Sequence, residues 1–193
     1  MNKESKQLWL LAGGNGAGKS TFYRTQLQPR DLPFVNADNI ARQVFPDAPE
    51  AHSYQAAAIA ERLRNELLEE GRSFCFETVF SHPSKIDFVG KAKAHGYEVI
   101  IVFVHLSTPE LNKARIQQRI EEGGHAVPED KVVSRIPRTM QNIKTALVLA
   151  DKAYLLDNSD YLKPFDLVAQ ITQGLVTKKA NTLPDWARFL LES

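Results

Sequence analysis

An α/β fold, a mostly parallel five-stranded sheet with helices on both faces, is predicted by three observations. Short apolar runs end at turn residues, helical periodicity fills the spaces between them, and a glycine-rich turn follows the first run directly. That first run is Leu8-Trp9-Leu10-Leu11-Ala12, closed by Gly13-Gly14. Residues 32–36, 73–77, 98–105 and 153–157 read the same way, rich in aromatic or branched side chains and bounded by polar or turn residues. Between them, residues 54–70 carry Ala56, Ile59, Ala60, Leu63 and Leu67 at helical spacing, with Gly71 as the stop. Thr108 and Pro109 start another helix, as N-cap and first helical residue, that runs to about residue 122 before Gly123-Gly124. Residues 165–176 fit a further strand or a helix, and 185–191 a closing helix. One domain spanning 1–193 is expected, with 160–193 its least patterned part.

Composition limits the function classes. With 43% hydrophobic residues in 193, the chain can bury a substantial core, and its net charge of +1 gives no general affinity for polyanions, so a nucleic-acid role is not favoured. The single cysteine, Cys75, lies in the apolar run Phe74-Cys75-Phe76 and reads as a buried structural thiol, which fits a reducing compartment. The apolar run 8–12 is too short for a signal-peptide core, and 99–104 is far below the roughly 20 residues that span a bilayer. A soluble cytoplasmic protein without membrane partners is the expectation.

The chemistry starts at Gly13-Gly14-Asn15-Gly16-Ala17-Gly18-Lys19-Ser20-Thr21. A glycine, four residues, then Gly-Lys-Ser between a strand and a helix is the phosphate loop of nucleoside-triphosphate enzymes. The glycines let the backbone curl so that its N–H groups face phosphate oxygens, Lys19 bridges the β- and γ-phosphates, and Ser20 is the expected Mg²⁺ ligand. ATP and Mg²⁺ are therefore the expected cofactors. No Asn-Lys-x-Asp element follows a later strand, which disfavours a GTPase. Phe76-Glu77-Thr78 offers one carboxylate where a large motor would carry an acidic pair.

A small-molecule kinase needs an acid near the acceptor hydroxyl and an arginine-bearing lid over the phosphates. Asp38, just past the second strand, is placed to take the proton from that hydroxyl, although a helix-capping role would also suit it. Glu77 and Thr78 end the third strand on the same sheet edge and, with Ser81, are expected at the acceptor; Glu77 also suits a magnesium-bound water. Lys85 reads as a solvated lysine. The lid is expected at about 115–142, hinged at Gly123-Gly124, with a new helix starting at Pro128. On that helix Val132, Ile136, Met140, Ile143 and Leu147 form an apolar stripe, and Arg135, Arg138 and Asn142 a separate one. Pro137 predicts a kink or break between the arginines. Arg135 and Arg138 are candidate catalytic groups, and Arg119 a candidate nucleotide contact; Arg115 fits a surface ion pair equally well. The histidines are scattered without metal-ligand spacing, His125 in the lid being the one of interest.

Taken together, the loop 13–21, Asn36-Ala37-Asp38, Phe76-Glu77-Thr78, and Glu122-Gly123-Gly124-His125 followed by Val127-Pro128 and the segment 135–138 resemble the zeta-toxin family of P-loop kinases over about residues 8–159. The resemblance implies a three-layer P-loop kinase fold and ATP-dependent phosphorylation of the 3′-hydroxyl of UDP-N-acetylglucosamine, with an antitoxin as a possible protein partner. It implies Asp38 as base, Lys19 as the phosphate lysine, Glu77 as a contact to the acceptor sugar, and Arg138 or Arg135 as the γ-phosphate arginine. Two features depart from the founding members: His125 stands where they carry an arginine, and their long acceptor-binding insertion is missing. The alternative readings are a kinase for another acceptor, such as a small metabolite, an antibiotic or a polynucleotide end, and a non-catalytic ATP-binding module.

Overall fold

The computed structural model describes residues 5–121 and 128–192, the side chain of Arg119 excepted. Strands β1 (Gln7–Ala12), β2 (Phe34–Val35), β3 (Phe74–Thr78), β4 (Glu98–His105) and β5 (Lys152–Asp157) pair in parallel in the order β2-β3-β1-β4-β5. An antiparallel hairpin, β6 (Asp166–Thr172) and β7 (Leu175–Lys179), extends the sheet past β5 to seven strands. The sequence predicted five. Strand β6 falls in the segment 165–176 that fitted a strand or a helix, whereas β7 was not anticipated because it buries none of its residues. The hairpin turns on Gln173-Gly174, both at positive φ (51° and 75°), the backbone that a tight two-residue hairpin turn requires.

Alternation along the central strands sorts the core into two layers. Leu8, Leu10 and Ala12 join Phe74, Phe76, Val99, Ile101 and Phe103 in the larger cluster. It is closed by helices α3 (Ser53–Glu69), α4 (Ser84–Ala94), α6 (Glu129–Leu147) and α7 (Asp185–Leu191). Trp9 and Leu11 point the other way with Cys75, Ile100, Val102 and Val104, under the helical run that starts as α1 (Lys19–Phe22) and under α5 (Pro109–Glu121). Both faces of the parallel strands are thereby covered, as near-continuous apolar strands demand. Burial and the nearby Glu77 carboxylate push the Cys75 thiol well above its ordinary pKa, so it is packing rather than a nucleophile.

Two helices differ from expectation. In α3 the buried stripe is Ala56, Ala60, Arg64, Leu67 and Leu68, whereas Leu63 is 40% exposed. Helix α6 runs unbroken through Pro137. Val132, Met140, Ile143 and Leu147 of its apolar stripe are buried and Ile136 is partly buried, and this packing outweighs the backbone hydrogen bond that proline removes. No helix among the described residues is long and apolar enough to cross a membrane.

His105, at the end of β4, is packed against Phe103 and the Trp186 ring at 4.8 Å. Burial, partly opposed by Asp157, lowers its pKa from 6.5 to about 4. The unfolded chain therefore binds a proton between those values that the folded chain does not. Stability is full above pH 6.5 and falls as the pH drops towards 4, by up to about 3 kcal/mol from this residue. Denaturant titrations across that window should show the slope for wild type and its loss in His105→Asn.

Candidate active site

The phosphate loop hangs between two asparagines. Gly13, Gly16 and Gly18 adopt φ values of 149°, 76° and 99°, and the curled backbone closes with an Ala17 N–H bond to the Gly14 carbonyl at 3.2 Å. Asn112 of α5, 3% exposed, donates its Nδ2 to the Asn15 carbonyl at 2.6 Å. Asn158, just beyond β5, donates Nδ2 to the Ala17 carbonyl at 2.8 Å and accepts the Phe165 N–H through Oδ1 at 3.2 Å. Neither asparagine was singled out from the sequence, because a neutral amide carries no charge or acid–base signal and its partner carbonyls lie far away in the chain. Asn158→Ala removes the bond and leaves a buried carbonyl unpaired, at a cost of about 1–3 kcal/mol. Nucleotide affinity measured by calorimetry should fall about tenfold.

Lys19, 7% exposed, donates Nζ to the Gly14 carbonyl at 2.9 Å and stands 3.9 Å from a Glu77 carboxylate oxygen. Ser20 donates its hydroxyl to the other Glu77 oxygen at 3.1 Å. The loop lysine, the loop serine and the carboxylate ending β3 therefore meet at one point. Their register explains it: β1 pairs β3 in parallel with Ala12 opposite Thr78, so both strands deliver their C-terminal ends to the same crevice. Ser20 Oγ and the Glu77 carboxylate are hard oxygen donors of the kind Mg²⁺ takes.

Asp38 sits in the first turn of α2 (Ala37–Val44) and is exposed. Asn36 is the N-cap of that helix, accepting the Asn39 N–H at 2.9 Å. Asp38 is thus left without the capping role, and its carboxylate is available to the crevice. It lines one cavity of about 920 Å³ together with Asn15, Gly16, Gly18, Lys19, Ser20, Thr21, Glu77, Thr78, Ser81 and Arg135. Of the other candidates, Gly13, Gly14 and Ala17 belong to the loop without lining the cavity. Arg138 lies outside it, with Nε donating to the Ser134 carbonyl of its own helix turn at 3.3 Å. The Arg119 side chain, Gly123-Gly124 and His125 lie outside the described residues. Arg115 lines the cavity and donates to the Asn158 carbonyl at 2.7 Å rather than to an acid.

Helix α6 grips the segment after β3. Thr139 donates to the Val79 carbonyl at 3.0 Å and Asn142 to the Phe80 carbonyl at 3.0 Å, while Phe80 sits at φ 65°, fully buried. Thr78 accepts the Phe80 N–H at 3.1 Å, which fixes the wall between Glu77 and Ser81. Two cations on the same cavity go beyond the sequence reading. Lys85 is half-buried rather than solvated, and Arg64, for which the sequence carried no expectation, is 3% exposed. Burial lowers the pKa of both.

Residues 8–142 match the model of a protein family described as AAA domain. The chain belongs to this family. An uncharacterized protein of Haemophilus influenzae is 31% identical over 137 residues, a stretch covering 67% of this chain and 97% of that one. Among solved structures, the AAA domain chain superposes on one from the AvrRxo1-ORF1:-ORF2 complex with ATP, with a TM-score of 0.71 and 17% identity over 90% of this chain. It also superposes on one from the PezAT chromosomal toxin-antitoxin system of Streptococcus pneumoniae, with a TM-score of 0.65 and 17% identity over 88% of this chain. This chain spans 60% and 72% of the lengths of those two. At such identities the likeness is one of fold, the three-layer α/β fold of P-loop kinases.

Proposed function

We propose that this chain is an ATP-dependent small-molecule kinase that transfers the γ-phosphate to a hydroxyl of a nucleotide sugar such as UDP-N-acetylglucosamine. One observation carries the reading: Asp38, a carboxylate without a structural task, shares a cavity with Lys19, Ser20 and Glu77. ATP lies with its phosphates in the loop, and Lys19 exchanges the Gly14 carbonyl for phosphate oxygens. Asp38 accepts the proton of the acceptor hydroxyl as that oxygen attacks the γ-phosphorus and the bond to the bridging oxygen of ADP breaks. Arg135, on the cavity wall, takes the role of the γ-phosphate arginine in preference to Arg138. Glu77, Thr78 and Ser81 bind and orient the acceptor. Mg²⁺, held by Ser20 with Glu77 in reach, offsets negative charge on the transferring phosphoryl group when bound.

The likeness to a chain of a toxin-antitoxin system adds a protein partner to the reading. Induced expression of wild type should slow growth, and expression of Asp38→Asn should not; equal growth of both sinks the toxin role while leaving the kinase. The acceptor is tested by turnover with Mg-ATP over a panel of UDP-sugars. Phosphorylation of at least one is expected. A panel without product, alongside turnover of another hydroxyl compound, removes the nucleotide sugar.

A further inference from the structure

Arg64 is a cation inside the core stripe of α3. Its guanidinium lies 4.6 Å from the centroid of the Phe76 ring and 5.0 Å from that of Phe88. Arg64 and Phe76 line the same cavity as Glu77 and Ser81, the residues expected at the acceptor, so the group forms part of that wall. Among the described residues its ion-pair partner is Glu61, 3.6 Å away, and that carboxylate is 60% exposed. Arg64 Nε is buried without a hydrogen-bond partner. The Lys85 ammonium approaches the same Phe76 ring at 5.9 Å and lines the same cavity. Two cations against one aromatic wall repel one another and lose hydration, and aromatic faces repay only part of that loss. Burial first, and then the nearby Arg64, lower the Lys85 pKa, with Glu61 partly opposing them.

We propose that Arg64 and Lys85 form an oxyanion subsite in the acceptor half of the cavity, and that the acceptor carries a phosphate or carboxylate group seated there. The inference rests on the kinase reading for the word acceptor, but the subsite itself does not need catalysis. The planar guanidinium, lining the cavity, supplies donors in a fixed geometry and Lys85 a mobile ammonium, the combination that holds a multidentate oxyanion. An anion between them also removes the mutual repulsion of the cations. The acceptor hydroxyl would then be fixed relative to Asp38 by a charged group elsewhere on the same molecule, which disfavours neutral acceptors.

The test uses the whole protein loaded with Mg²⁺ and a non-hydrolysable ATP analogue, so that the phosphate loop is filled. Pyrophosphate and malonate are titrated in while the Arg64 Nε–H resonance is followed, assigned by its disappearance in Arg64→Lys. A saturable shift with either anion is expected, pyrophosphate alone marking a phosphorylated acceptor and malonate alone a carboxylic one. Lys85→Gln, at a half-buried position, should weaken that binding by about tenfold or more with affinity for the ATP analogue unchanged. No shift with either anion, or equal affinity in Lys85→Gln, overturns the subsite. Anion binding without phosphoryl transfer to any acceptor would instead remove the kinase reading and leave the subsite standing. Turnover of a neutral acceptor with a KM untouched by Lys85→Gln would do the reverse.

Discussion

Asp38→Asn should reduce phosphoryl transfer by a factor on the order of a hundred to ten thousand while leaving the affinity for ATP within error of wild type. The amide keeps the size of the side chain and can still hydrogen-bond the acceptor, but it cannot take up the hydroxyl proton. The fold is indifferent to the change because Asn36, not Asp38, caps α2, and Asp38 is exposed in the first helical turn. A small helix-dipole contribution, about 0.3–1 kcal/mol, is all that the lost charge removes. The measurement is paired: single-turnover rate by product mass, and nucleotide binding by calorimetry. A non-catalytic ATP-binding module predicts no change in either, and a collapse of ATP binding would assign Asp38 to the donor half instead.

Gly13→Ala should destabilise the chain by about 3–5 kcal/mol or prevent folding, with nucleotide binding lost in either case. A Cβ at residue 13 would lie 2.2 Å from the Val104 carbonyl oxygen, a backbone atom in the middle of the sheet that has no side-chain rotamer to yield. The φ of 149° adds strain of its own. Gly90→Ala in α4 is the matched control. A Cβ there meets nothing within 4 Å, and the loss of unfolded-chain freedom should stabilise the protein by about 0.5–1 kcal/mol. Denaturant midpoints of the two variants should therefore move in opposite directions.

What could be seen in the sequence is what repeats or recurs at fixed spacing. The central strands are runs of apolar residues because helices cover both their faces, and the loop 13–20 is spelled by glycines because few other residues tolerate its backbone. Asp38 and Glu77 were found from strand ends, since parallel strands send their C-termini to a common edge. The rest depends on single contacts between distant segments. Asn112 and Asn158 matter because they reach the carbonyls of Asn15 and Ala17, 97 and 141 positions away, which no local pattern encodes. Arg64 carried no signal for a related reason. A periodicity count assigns apolar Leu63 to the core, whereas the helix turns Arg64 inward against Phe76 and Phe88. Pro137 does not break α6, because one missing hydrogen bond is small beside the apolar face that the helix buries.

The most direct measurement follows the phosphate itself. Wild type and Asp38→Asn are incubated with Mg²⁺ and γ-¹⁸O-labelled ATP over a mixed library of hydroxyl compounds, and every species is searched by mass for a labelled phosphoryl group. A kinase site with Lys19 and Asp38 in one cavity predicts an organic acceptor that gains the label with wild type and not with Asp38→Asn. Tight ATP binding with no labelled acceptor, or label found only in inorganic phosphate, would contradict it.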